Sequence, residues 1–128
     1  MDQYKGKGEK ILVVDDVREQ REIAAMMLKT LRYQVDAVSS GEEAVEYIRT
    51  HHVDLIVLDM IMEPGIDGLE TYRRITGFNP GQKAIIASGF SETGRVKELK
   101  KLGADAYIRK PYLLEKIGKV VRQELEKE

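Results

Sequence analysis

The chain alternates short apolar runs with longer stretches in which apolar residues recur every three or four positions. The runs are Ile11–Val14, Val35–Val38, Leu55–Leu58, Ala84–Ala87 and Ala106–Ile108. They are short, and most are rich in β-branched residues, so they read as strands. Between them, Ile23, Met27 and Leu31 are spaced by four. Ala44, Val45 and Ile48 share one helical face, as do Leu69, Tyr72 and Ile75. Val96, Leu99 and Leu102 repeat by three, and Leu114, Ile117, Val121 and Leu125 form the last stripe. Each stripe reads as the core-facing side of a helix. Punctuation agrees with the alternation. Ser40 with Glu43, and Asp67 with Glu70, have the spacing of capping boxes, in which side chains satisfy free backbone donors at a helix start. "FNPGQ" at Phe78–Gln82 marks a turn, and Gly103 is placed to end the fourth helix in a left-handed conformation.

Five strands alternating with five helices predict an α/β domain, a parallel sheet covered by helices on both faces. Met1–Glu9 is polar and reads as a tail or linker stub, which leaves 10–128 as the domain. In such sheets ligands bind beyond the carboxyl ends of the strands, at a topological switch point. The polar residues just after each strand are therefore the candidates. Asp15 and Asp16 follow the first run, Asp59 the third, Ser88 the fourth, and Lys110 with Pro111 the fifth. Taken singly each is ordinary: paired aspartates make turns or caps, a lysine is solvated, and a serine before glycine is turn chemistry. Their joint placement after four of the five strands is the specific signal.

Three carboxylates on one rim repel each other unless a cation joins them. A hard divalent ion such as Mg²⁺ takes oxygen ligands, which suggests a metal held by Asp16 and Asp59, with Asp15 helping directly or through water. Met60 and Met62 offer only thioethers, poor ligands for such an ion, and read as loop packing. A lysine and a hydroxyl facing the cation suit an anionic, oxygen-rich substrate, and phosphoryl fits best because its transfer needs positioning and charge neutralisation. A carboxylate can be the nucleophile and become an aspartyl phosphate.

Composition narrows the picture further. The 128 residues suit one domain, and the net charge of −1 with no lysine–arginine block gives direct nucleic-acid binding no electrostatic support. The absence of cysteine excludes disulfides, thiolate metal sites and cysteine nucleophiles. No apolar run reaches the roughly 18 residues of a membrane span, and the start lacks a signal-peptide core, so a cytoplasmic location without membrane insertion is expected. His51 and His52 are adjacent and on a helix would point about 100° apart, which argues against a shared metal.

"ILVVDD", "LIVLDM", "IIASG" and "GADAYIRKP" together resemble the receiver domain of two-component response regulators, from Lys10 to about Leu125. The resemblance implies a flavodoxin-like sheet of order 2-1-3-4-5 with Asp59 as phosphoacceptor. It implies an acidic Mg²⁺ pocket of Asp15, Asp16 and Asp59, with the backbone carbonyl of Ile61 as a further ligand. It makes Ser88 and Lys110 the family's hydroxyl and lysine, the Lys110–Pro111 bond cis, and Tyr107 the aromatic switch. The implied partner is a histidine kinase or histidine phosphotransfer protein that donates from phosphohistidine. "GKGEK" resembles the segment joining kinase ATP-binding domains to attached receivers, which leaves a hybrid histidine kinase as one parent. With no room for a DNA-binding effector after Glu128, output is expected through a partner, a relay to a second histidine protein, or attached domains; a homodimer stays open.

Departures from the family pattern are informative. Ile61 and Phe90 flank the site and cannot orient a water, so slow loss of the phosphoryl group is expected. Pro64 falls five residues after Asp59 where relatives usually have four, which makes Glu63 the surplus residue, expected to face solvent. Two other function classes fit less well. A Mg²⁺-dependent phosphohydrolase with an aspartate nucleophile would need a second aspartate where Ile61 stands, and an unphosphorylated scaffold would usually have lost part of the acidic pocket.

Overall fold

The computed structural model describes residues 5–62, 64–89, 94–104 and 106–127, without the side chains at 94–96 and 99. In chain order the elements are β1 (Lys10–Val14), α1 (Arg18–Thr30), β2 (Gln34–Val38), α2 (Gly41–Thr50), β3 (Leu55–Asp59), α3 (Gly68–Phe78), β4 (Ala84–Ser88), α4 (Gly94–Lys101), β5 (Ala106–Arg109) and α5 (Leu114–Leu125). The strands form one sheet of order β2-β1-β3-β4-β5, and every pairing is parallel. This is the flavodoxin-like arrangement expected from the alternation and the resemblance.

Strand side chains alternate between two apolar layers, as the period of two requires. Leu12, Val14, Ile56, Leu58 and Ile86 pack with residues of α2 and α3, Ala44, Ile48, Tyr72 and Ile75 among them. Ile11, Val13, Leu55, Val57 and Ile85 pack with α1 and α5 through Ala24, Leu28, Ile117 and Val121. β3 and β4 are buried at every position, whereas the edge strand β2 is largely exposed.

Ser40 and Asp67 cap α2 and α3, accepting from the N–H groups of Glu43 and Glu70 at 3.1 and 3.0 Å. Gly103 lies at φ +112, as its place after α4 predicted. The stripe expected on α1 is displaced. Ala24 and Leu28 are the buried residues of the helix and Leu31 is buried at its end, while Ile23 is 39% exposed. A helix carrying Ile23, Ala24, Met27 and Leu28 has two adjacent stripes about 100° apart. The alanine stripe faces the sheet. On α4, Leu102 is 40% exposed, and the side chains of Val96 and Leu99 lie outside the described residues.

Candidate functional site

The register of the sheet brings the strand ends to one rim. Val14 pairs with Leu58, Asp59 with Ala87, and Ser88 with Arg109. The Met60 N–H donates to Ala87 O at 2.9 Å, and the Lys110 N–H to Ser88 O at 2.9 Å. The Lys110–Pro111 peptide is cis. Asp59 and Ser88 are the last residues of β3 and β4, 6% and 4% exposed; the sequence reading put them one position beyond the strands.

Asp15, Asp16 and Asp59 each offer a carboxylate oxygen, all within 4.8 Å of one another. Lys110 Nζ donates to Asp15 Oδ2 at 2.7 Å and to Asp59 Oδ1 at 3.2 Å. The other Asp15 oxygen accepts the Val17 N–H at 3.0 Å, and Arg21 Nη1 donates to the Asp15 carbonyl at 2.8 Å. Asp15 is thus fixed from three sides and buried, while Asp16 is the most open of the three. Asp16, Val17, Asp59, Ile61, Ser88, Gly89 and Lys110 line a cavity of about 370 Å³.

Burial pushes the Asp59 carboxyl up to about 6; Lys110 opposes the shift and the neighbouring Asp15 and Asp16 add to it. Burial works against the charge on Lys110, but its bonds to Asp15 and Asp59 and their fields outweigh this and hold its pKa above the usual lysine value. Lys110 shares its single charge between Asp15 and Asp59. Three clustered carboxylates make an all-oxygen donor set, which suits a hard divalent cation such as Mg²⁺, so the residues present fit that ion.

The profile of the response regulator receiver domain family matches residues 11–122. The chain belongs to that family. Among curated proteins it is similar to the sporulation initiation phosphotransferase F of Bacillus subtilis (strain 168), 31% identical over 91% of this chain and 94% of the relative. It is also similar to the chemotaxis protein CheY of Halobacterium salinarum, 32% identical over 80% of this chain and 84% of that protein. The chain spans less than half the length of several further curated relatives. A CheY-like receiver domain from Methanospirillum hungatei JF-1 superposes with a TM-score of 0.87 at 24% identity, covering 94% of this chain and 95% of that one, which shows the shared fold.

The receiver domain thus gathers Asp16, Asp59, Ser88 and Lys110, expected from sequence, around one cavity, with Asp15 buried behind them on Lys110 and Ile61 48% exposed at the wall. Tyr107 is half-buried against the α2–α3 core, paired in register with Ile86. Glu63 and Phe90 lie outside the described residues. Three supporting groups went unnoticed in the sequence: the Val17 N–H, Arg21 and Tyr112. Tyr112 is 5% exposed with its ring centroid 5.9 Å from Lys110 Nζ. An aspartate commonly accepts the N–H two residues on, so the Val17 contact was within reach of sequence reasoning. The Arg21 and Tyr112 contacts carry no comparable local signal.

Proposed function

We propose that this receiver domain takes a phosphoryl group from a phosphohistidine donor onto Asp59 and signals by a conformational change. The observation that carries the reading is the convergence of Lys110 Nζ on Asp15 and Asp59 within a cluster of three carboxylates. Asp16, Asp59 and the Ile61 carbonyl are the residues to hold Mg²⁺, with Asp15 acting mainly through water because both its oxygens already accept hydrogen bonds. When bound, the ion supplies positive charge that offsets the carboxylates and the phosphoryl oxygens.

At pH 7 Asp59, with a pKa near 6, is mostly ionised and nucleophilic. One of its oxygens attacks phosphorus in line. The P–N bond of the donor breaks, its electron pair stays on the imidazole nitrogen, and an acyl phosphate forms. Lys110 exchanges its bond to Asp59 for a phosphoryl oxygen and so stays charge-paired through the transfer. Ser88, at the cavity wall, donates a hydrogen bond from its hydroxyl to the new phosphoryl group, and the half-buried Tyr107 on the neighbouring strand follows into the space released. The two arrangements are conformers whose balance the phosphoryl group shifts. Ile61 beside the site has no side-chain group to orient an attacking water, which supports a long-lived acyl phosphate.

The domain acts as a phosphoacceptor module that assists its own reaction, with a histidine kinase or phosphotransfer protein upstream and a partner or attached domain downstream. A hybrid histidine kinase is one parent that suits it. Intact mass after incubation with Mg²⁺ and acetyl phosphate tests the reading. One phosphoryl addition, absent in Asp59→Asn, is expected; an addition that persists in that variant overturns it.

A further inference from the structure

The loop that leaves β3 carries Met60 and Ile61 and returns into α3 at Gly68. Glu42, an exposed residue at the start of α2, reaches across to it. Its Oε2 accepts the Ile66 N–H at 3.1 Å. Both carboxylate oxygens lie over Gly65, 2.8 Å from where a Cβ would stand, and Gly65 holds φ +104, a conformation other residues rarely adopt. Two residues past Ile66, the Gly68 N–H donates to Met60 O at 3.0 Å. A Cβ at Gly68 would stand 2.5 Å from Asp59 O and 2.9 Å from Met60 Cα, so α3 begins in direct contact with the backbone of the phosphoacceptor. A short path therefore joins the Glu42 side chain to Asp59, through the Ile66 N–H and the backbone at Gly68.

An acidic residue in the first turn of a helix is explained by the helix dipole alone. The reach to the Ile66 N–H is not, and neither is the seat over Gly65. We infer that Glu42 is a positioning residue for the phosphorylation site: it anchors the outer limb of the β3–α3 loop so that Asp59 and the Ile61 carbonyl keep their spacing. The inference rests on the proposed phosphoacceptor role of Asp59. The connection from Asp59 to Gly68 is long for a strand-to-helix loop. A longer loop has more conformational freedom to lose and gains more from an anchor.

Three variants separate this role from a structural one. Glu42→Ala removes the acceptor. Glu42→Gln keeps an acceptor oxygen without the charge. Glu43→Ala disturbs the same helix start, where Glu43 bonds Ser39 and Ser40, without touching the loop. In metal-free protein, amide NMR signals of Asp59, Met60 and Ile61 are expected to move with Ile66 in Glu42→Ala, and to stay in place in Glu43→Ala. In acetyl phosphate reactions Glu42→Ala is expected to need roughly 2- to 10-fold more Mg²⁺ for half-maximal rate, the range one hydrogen bond carries. Glu42→Gln should stay near the parent. Shifts confined to Ile66, or a Glu42→Gln variant as impaired as Glu42→Ala, overturn the inference. A parent protein that takes up no phosphoryl group overturns the phosphoacceptor reading instead, and the metal-free spectra then still decide whether Glu42 sets the loop.

Discussion

Two clusters of charge sit at opposite ends of β1 and are resolved differently. Before the strand, Arg122 Nη2 donates to Glu9 Oε2 at 2.8 Å, Nη1 to Tyr33 Oη at 3.3 Å and Nε to Glu126 Oε2 at 3.1 Å. The buried guanidinium meets one half-buried carboxylate, and the other, on Glu126, is largely in water. The bond to Glu9 is the main cause that raises the Arg122 pKa; burial opposes it. Burial alone would raise the Glu9 carboxyl, but the Arg122 and Lys7 bonds outweigh it and hold its pKa below the usual glutamate value. After the strand, Lys110 bonds Asp15 and Asp59 in a cluster that also holds Asp16, and Asp59 is pushed upward. One cluster sets its guanidinium against carboxylates and a hydroxyl, each bonded in turn. The other crowds three carboxylates at the rim of a cavity, and the raised Asp59 carboxyl reflects its burial and their proximity. A buried carboxyl shifted in this way at a cavity is a candidate for chemistry.

The comparison breaks first at Arg122. Arg122→Met leaves the Glu9 carboxylate without its positive partner and is expected to destabilise the domain by about 3 kcal/mol, read from urea unfolding; a loss under ~1 kcal/mol would show that the cluster is only a surface pair. Next, Asp59→Asn is expected to stabilise the metal-free protein at pH 7 by about 2 kcal/mol. A carboxyl whose folded pKa lies above its unfolded value contributes stability fully below about pH 4 and loses it as pH rises through about 6. The advantage of Asp59→Asn should therefore disappear near pH 4, as unfolding midpoints in chelator will show. Third, Mg²⁺ at ten times its dissociation constant is expected to stabilise the parent by about 1.4 kcal/mol and Asp59→Asn by less; equal stabilisation would place the ion elsewhere. The smallest effect is at Glu9. Its lowered pKa gives stability present above the unfolded value and lost as pH falls through the folded one. Glu9→Gln should be less stable than the parent at pH 7, with the gap narrowing in acid unfolding series.

Most of the site was legible because the carboxyl ends of parallel strands must converge. Once Ile11–Val14, Leu55–Leu58 and Ala84–Ala87 are strands, Asp15, Asp59 and Ser88 have to share a rim. The caps at Ser40 and Asp67 were legible for a local reason, since acceptor and donor lie three residues apart. The cluster at Arg122 was not. Glu9 and Tyr33 are 113 and 89 positions from it, and no local pattern distinguishes a glutamate in a polar segment that bonds α5 from one that is solvated. The end of α1 was also hidden: Arg32 takes φ 72 there, with no glycine to announce it.

By itself the sequence determined the element order, the parallel sheet, the caps and the rim residues, because periodicity and strand-end position are local or topological facts. Tertiary structure alone decided which of two stripes on α1 faces the core. It also decided that Asp15 is held by Val17, Arg21 and Lys110, and that Glu42 reaches Ile66. Those outcomes depend on the distance between elements remote in the chain, and that distance is set by packing against the sheet.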